Sequence, residues 1–353
     1  MPGLRDLGIG FWRMWRVLDW RPIRREAETP VRLALLGEGP ELNRIAALFS
    51  TAELVRGPVE MHVDDPPPDL VVLAPPAGQD ALESAFQQAR ELDERNVASL
   101  LLLPPGTEAG APDTPHMVVS AHEAPHEDRL TVALIEALPL DRRLGAARMA
   151  EPLRAPLARQ LVLESAFANA QFALMTNLPA FLPGAGTAAA IAADTLVLTT
   201  NQVVLVYKMA AVWGADLSNP RALLVEAAPV VGGAFLWRGA ARTLIGLLPG
   251  FAALAPKVGV AYVGTYIVGE LANQYYQRGV RPSDARMREI EAEAREALGR
   301  IWHRLRPSQS PEPIRAPSTP SALPAGATSP PTALPPPSPT PGPATTGEAT
   351  GTR

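Results

Sequence analysis

Three groups of residues in this 353-residue chain have types and spacing that could do chemistry. The first is Gly37-Glu38-Gly39-Pro40-Glu41-Leu42-Asn43-Arg44, a glycine-containing loop between an apolar run and a helical pattern. Strand, glycine loop and helix is the context in which backbone N–H groups and a helix N-terminus hold phosphate. A phosphate loop starting at Gly37 needs Gly-Lys-Ser/Thr at positions 42–44, where the chain has Leu42, Asn43 and Arg44. The lysine for the β- and γ-phosphates and the hydroxyl for magnesium are both missing. A dinucleotide loop fits slightly better. Gly37 and Gly39 are in place, Leu42 replaces the third glycine, and Asp64 is the candidate ribose acid. Pro40 removes a backbone donor as well. The expectation is a tight turn with degenerate phosphate-loop positions and no cofactor.

The second group, His122-Glu123-Ala124-Pro125-His126, matches H-E-x-x-H by letter. A zinc protease carries that motif mid-helix, so that both imidazoles face one metal. Here it directly follows an apolar strand-like run, and Pro125 would break an interior helical turn. Glu136 and Glu151 are available as a third ligand, and nothing singles out either. A polar loop is expected, and no metal. The third group is Asp194, Arg238, Arg242 and Lys257, set inside an Ala/Gly/Leu/Val-rich block from Asn177 to Tyr276. Charges at such depth face a bundle interior, a polar partner or an interface. Buried pairs or snorkelling side chains that fix helix register are expected in preference to a transport site. No serine or threonine sits in a nucleophile elbow, so no catalytic residue is assigned.

The elements that must position these groups follow from changes in composition. Residues 1–29 are rich in Trp and Arg, and Leu4, Leu7, Phe11, Trp15 and Leu18 step by three or four, a helical stripe. Arg13 and Arg16 lie off the stripe, with Trp12 and Trp20 flanking it. Phe11, Trp12, Trp15 and Trp20 suit an interfacial anchor; the same residues also suit a helix that caps the next domain. Residues 30–140 read as α/β, with apolar runs at Val31–Leu36, Val59–Val63, Leu70–Ala74, Ser99–Leu103 and Met117–Ser120. Helical patterns between them at Glu41–Phe49, Ala81–Arg95 and Glu127–Leu138 indicate a mostly parallel five-stranded sheet.

Residues 141–306 read as a helical domain. It holds one or two helices over Leu144–Met175, apolar hairpins over 177–276, and a polar helix over 283–306 with Ser283 as N-cap. Residues 307–353 are rich in Pro, Ser and Thr and lack aromatics, a composition expected to stay disordered.

A net charge of −4 gives no footprint for nucleic acid, and the absence of cysteine removes disulfides and thiolate metal sites. Arg5, Asp6, Arg13, Arg16 and Asp19 break any secretory apolar region at the start. Within the apolar block, Ser165–Ala193 is uncharged and long enough to span a bilayer, but it contains Asn169, Gln171, Asn177 and two prolines. The runs Thr195–Tyr207, Thr243–Pro256 and Val258–Gly269 are each shorter than the ~20 residues a spanning helix needs. Membrane-associated, half-inserted hairpins are expected, with a wholly soluble Ala-packed bundle as the close alternative.

The segment from about Gln160 to Arg281 resembles domain of unknown function 697, the helical domain of YcjF-type bacterial proteins that also follows Era-like GTPase domains. The residues that carry the likeness are the Leu182-Pro183-Gly184 and Leu248-Pro249-Gly250 turns, Ala193-Asp194, Asn201-Gln202 and the Met209 to Trp213-Gly214 helix end. Gly232-Gly233, the glycines from Gly259 to Gly269, and Tyr275-Tyr276 add to it. The resemblance implies membrane association for the helical block. It also implies a decayed GTPase domain before it. Val119-Ser120-Ala121 resembles the last guanine-contacting motif, whereas Pro75 stands at the aspartate of D-x-x-G, with Gly78 kept. Pro104-Pro105-Gly106-Thr107 stands where N-K-x-D would follow.

The chain is therefore expected to be a non-enzymatic scaffold or regulatory protein at the cytoplasmic face of the cell membrane. Lipid and a protein partner or second copy are its expected contacts. The alternatives are an unorthodox nucleotide-binding GTPase-like protein and a soluble cytoplasmic oligomeric scaffold.

Overall fold

Short apolar runs that alternate with helical patterns form parallel strands, because helices then cover both sheet faces. The computed structural model describes residues 18–49, 53–56, 67–104, 107, 117–120, 127–175, 188–223, 225–227, 255–280 and 282–305. Helix α1 (Arg21–Glu28) precedes β1 (Arg32–Gly37), α2 (Pro40–Leu48), β2 (Glu53–Arg56) and β3 (Leu70–Ala74). Then come α3 (Gln79–Glu94), β4 (Ala98–Leu102), β5 (Met117–Ser120) and α4 (Glu127–Ala137). The central strands β1, β3 and β4 form a small parallel sheet with buried side chains, and the four-residue β2 and β5 pair in parallel at its edges. The order is β2-β1-β3-β4-β5. Val59–Val63, expected as the second strand, lies outside the described residues, and Glu53–Arg56 pairs with β1 instead. With one apolar pair between two charged residues, that edge strand leaves little trace in composition.

The strand side chains alternate between two cores. Ala34, Leu36, Val71, Leu73 and Leu101 face Ala85, Ala89 and Leu92 of α3. Leu33, Leu35, Leu70, Val72 and Leu100 face the other way, and their core continues without a break into the helices that follow. Those are α5 (Arg143–Met149), α6 (Arg154–Met175), α7 (Ala188–Val212), α8 (Ala255–Arg278) and α9 (Asp284–Leu305). Pro152, in a 3-10 turn over Glu151–Leu153, separates α5 from α6. Residues up to Pro307 form one compact unit.

The direction of the bundle helices follows from their contacts. Asn169 meets Thr265 and Val162 meets Gly269, so α6 and α8 are antiparallel. Gln202 meets Thr265 and Leu205 meets Gly269, so α7 runs alongside α8 in the same direction. The C-terminus of α6 and the N-termini of α7 and α8 thus share one end. The other end of α7 is fixed to α5. Arg148 on α5 donates to Ala211 O at 3.2 Å and to Ala215 O at 3.1 Å.

No helix among the described residues is long and apolar enough to cross a membrane. The run Ser165–Ala193, read from its lack of charge as long enough to span, falls across α6 and α7 and is not one helix. Pro179 and Pro183 lie between the two.

Candidate functional site

The connections from β1 and β3 leave toward opposite edges of the sheet, which makes a switch point between these two strands. Doubly wound sheets bind ligands in the crevice beyond the strand ends at such a point. The glycine loop lies there. Gly37, the last residue of β1, pairs with Ala74, the last of β3. Its φ is +103°, and a Cβ on it would come 2.1 Å from Ala74 O. Contact with β3 therefore demands the glycine, with or without a phosphate.

The turn itself holds only Glu38 and Gly39 before α2 begins at Pro40. Leu42, at the position of the third glycine, is buried in the core beneath α2, whereas Asn43 and Arg44 are exposed. Glu41 places Oε2 3.5 Å from where a Cβ on Gly39 would sit, and Glu38 is exposed. The N-terminal end of α2 carries partial positive charge, and Glu41 lies in its first turn. Pro40 has no N–H to offer. The arrangement is a tight βα turn with acidic residues at positions 38 and 41 and a buried leucine at position 42.

The neighbouring loops are described in part. Gly78 is the N-cap of α3 after Pro75 and Pro76. Thr107 donates its N–H to Pro104 O at 3.2 Å, and Ser120 ends β5. Among the described residues no group of three or more His, Asp or Glu could hold a metal ion. Asp64, Pro105, Gly106, Ala121 and His122 to His126 lie outside the described residues.

Comparison with protein-family models, curated proteins and solved structures returns no match.

Of the anchoring residues, Trp20 is partly buried and meets Tyr207 edge-on, with ring centroids 4.8 Å apart. Phe11, Trp12 and Trp15 lie outside the described residues, as do Arg238 and Arg242. Asp194 falls within α7 and Lys257 within α8, and their side chains are likewise outside the described part.

The bundle instead holds a polar cluster that spacing alone does not assemble. Asn169 on α6 donates from Nδ2 to Thr265 Oγ1 on α8 at 2.8 Å, and its Oδ1 accepts from Asn201 Nδ2 on α7 at 2.7 Å. Gln202 Nε2 donates to Thr265 Oγ1 at 3.1 Å, and Thr265 donates onward to Ala261 O at 2.8 Å. Asn169, Gln202 and Thr265 are buried. No member titrates near neutral pH, so the cluster fixes which faces of three helices meet and does no acid–base work. The legible signal is an amide side chain inside an apolar stretch, Asn169 on α6 and Asn201-Gln202 on α7; Thr265 is inconspicuous because threonine is common in such runs.

A second polar group lies nearer the C-terminus of α8. Trp213 Nε1 donates to Asn273 Oδ1 at 2.9 Å, and Asn273 Nδ2 donates to Glu270 Oε2 at 3.4 Å. Burial pushes the Glu270 carboxyl above its ordinary range; Asn273 opposes this, and Glu293 on α9 reinforces it. The Tyr266 phenol, one turn earlier, is pushed up to about 12, chiefly by burial.

Proposed function

We propose that this chain is a non-enzymatic scaffold that associates with the cytoplasmic face of the cell membrane. Its α/β half is a GTPase-like domain that has lost nucleotide binding, and its helical half is the part that meets lipid or a partner. The observation that carries the first point is the Glu38-Gly39 turn, closed by buried Leu42 and flanked by two carboxylates. Phosphoryl transfer relies on a cation-rich cradle for the phosphates, which this turn lacks.

Support for membrane contact comes from helix direction and charge. The N-termini of α7 and α8 lie at the bundle end remote from the Arg148 contacts. No acidic residue occurs between Glu226 and Glu270, where the charges are Arg238, Arg242 and Lys257. Met175 and Val197, near that end, are 65% and 37% exposed. Exposed apolar side chains at this end, in a chain whose neighbouring sequence carries only cationic charges, suit the headgroup region of an anionic bilayer.

Fractionation of cells expressing the full chain, followed by a carbonate wash, tests the reading. Retention in the washed membrane pellet supports it. A soluble, monodisperse protein that needs no detergent removes the membrane role, and a concentration-dependent mass would point to the oligomeric scaffold. A rise in melting temperature with GTP and magnesium, as expected for any ligand that binds only the native state, would restore the nucleotide-binding alternative.

A further inference from the structure

A cleft of about 500 Å³ opens at the edge of the sheet where the strands begin, away from the strand ends that carry the glycine loop. Arg32 opens β1, Asp69 precedes β3, and Asn96 and Val97 lead into β4; all four line the cleft. Thr29-Pro30, Pro67-Pro68, and Pro139 with Arg142 from the turn between α4 and α5 complete it. Val97 is buried, whereas Pro30, Pro67 and Asn96 are exposed, so the cleft runs from the edge of the core out to solvent. Its volume falls within the roughly 300–1,000 Å³ of small-molecule sites.

The polar groups of the lining are unevenly used. Both oxygens of Asp69 are engaged, Oδ2 by Arg32 N at 2.9 Å and Oδ1 by Arg142 Nε at 2.6 Å. Thr29 gives its hydroxyl to Arg25 O at 2.6 Å. What is left is mainly donor. The Asp69 bond fixes the Arg142 guanidinium, and Nη1 meets Asp141 Oδ2 only at 3.7 Å, beyond hydrogen-bond distance. Among the described residues, Nη2 of Arg142 and the Asn96 side-chain amide take no hydrogen bond. Asn96 stands on a fixed base, with φ +57°, its N–H on Asp93 O and that of Val97 on Leu92 O, both at 2.9 Å. Arg32 and Arg142 against Asp69 leave the lining one positive charge in excess. The Asp141 carboxylate, 72% exposed, lies outside the lining and is screened by solvent.

We infer that this cleft binds a small carboxylate that carries an apolar ring. The carboxylate accepts from Arg142 and Asn96, and the ring lies against the prolines and Val97, rigid surface that loses little freedom on binding. Asp69 is a positioning residue, which holds the guanidinium in place before the ligand arrives. The inference does not depend on the membrane reading or on the state of the glycine loop.

Fluorine NMR of the full chain with para-(trifluoromethyl)benzoate tests this, with the uncharged para-(trifluoromethyl)benzamide as the matched control. A saturable shift with a Kd of about 1 mM or tighter is expected for the carboxylate, and at least about tenfold weaker binding for the amide. Arg142→Gln should weaken the carboxylate about tenfold. Asn96→Gly, which keeps the positive φ without strain, should weaken it about threefold. Arg288→Gln, at an exposed position of α9, should leave it unchanged, which separates the cleft from general attraction to positive charge. Should Arg142→Gln fail to fold, Asn96→Gly decides alone. No saturation at about ten times the expected Kd, or equal binding of the amide, overturns the inference. So does binding that Arg142→Gln and Arg288→Gln weaken alike, or that neither Arg142→Gln nor Asn96→Gly weakens.

Discussion

Asn169 on α6 and Thr265 on α8 share a 2.8 Å hydrogen bond with both side chains fully buried. Thr265 Oγ1 accepts from Asn169 and Gln202 together. Thr265→Val keeps the shape and removes this shared acceptor. We expect a loss of about 2–4 kcal/mol, since each buried donor deprived of its acceptor costs about 1–3 kcal/mol. Asn169→Leu affects half-buried Asn201 and costs about 1 kcal/mol or slightly more. The double variant should be only as unstable as Thr265→Val alone, because Asn169 no longer has a donor to strand. Urea unfolding of the four proteins checks the cycle. Additive losses would show that the three helices are not coupled through this cluster.

Two glycines one turn and a half apart on α8 should respond oppositely to alanine. Gly264 has nothing within 4 Å of where an added methyl group would sit, and removing backbone freedom in a helix interior should stabilise by about 0.5–1 kcal/mol. A Cβ on Gly269 would lie 2.8 Å from Val162 Cγ2 and 3.0 Å from Leu205 Cδ2. Val162 is β-branched and buried, so it yields little, and Gly269→Ala should lose about 1–3 kcal/mol through overpacking. Thermal denaturation of both variants decides the matter. Equal shifts would mean that α8 does not approach α6 and α7 as closely at Gly269.

These two cases also mark what the sequence could and could not convey. The stripe Met287, Ile290, Ala294, Ala297/Leu298, Ile301 and Leu305 indicates one packing seam on α9, and Ile290, Ala294, Ala297 and Leu298 are buried there. Ser283 accepts from Arg286 N at 3.2 Å, as an N-cap should, and Glu291–Arg295 and Glu296–Arg300 are paired. Such features are local, set by neighbours within a turn. Partners far apart in the chain are a different matter. Asn169 is visible in the sequence only as a reason against burial in lipid, because its acceptor lies 96 residues away. Likewise, the glycine at Gly37 is explained by Ala74 on another strand, which no loop motif encodes. Arg148 gives no signal at all, since its acceptors are two backbone carbonyls of another part of the chain.

Below the sheet, Asp69 joins two elements at once. Its Oδ2 accepts from Arg32 N at the start of β1 at 2.9 Å, and its Oδ1 accepts from Arg142 Nε at 2.6 Å. The Asp69 side chain is 14% exposed and that of Arg142 30%. Asp69→Ala leaves a backbone donor and a partly buried guanidinium without this acceptor, and should cost about 2–3 kcal/mol. Arg142→Ala retains the bond to Arg32 N, and should cost about 1 kcal/mol. Equal losses in denaturant titrations would place the value of the pair in the charge interaction alone.

Glu270 predicts the direction of a pH response. Its carboxyl is raised by burial and by Glu293, against Asn273 and the positive charges of Arg286 and Arg159. The folded protein therefore binds this proton more tightly than the unfolded chain does. Between the ordinary glutamate value of 4.5 and the raised folded value, the native state carries more protons than the unfolded state. Stability from this group is complete below the unfolded value and falls as pH rises through the folded one. Glu270→Gln keeps an amide oxygen for Asn273 and abolishes the titration. The variant should match the parent at low pH and become progressively more stable than it as the pH rises through that window. Glu26, also raised by burial, leaves part of the slope in both proteins, so the difference between the two curves is the quantity to measure. A difference that stays flat from acid to neutral pH would show that Glu270 is well solvated, and that α8 and α9 do not enclose it.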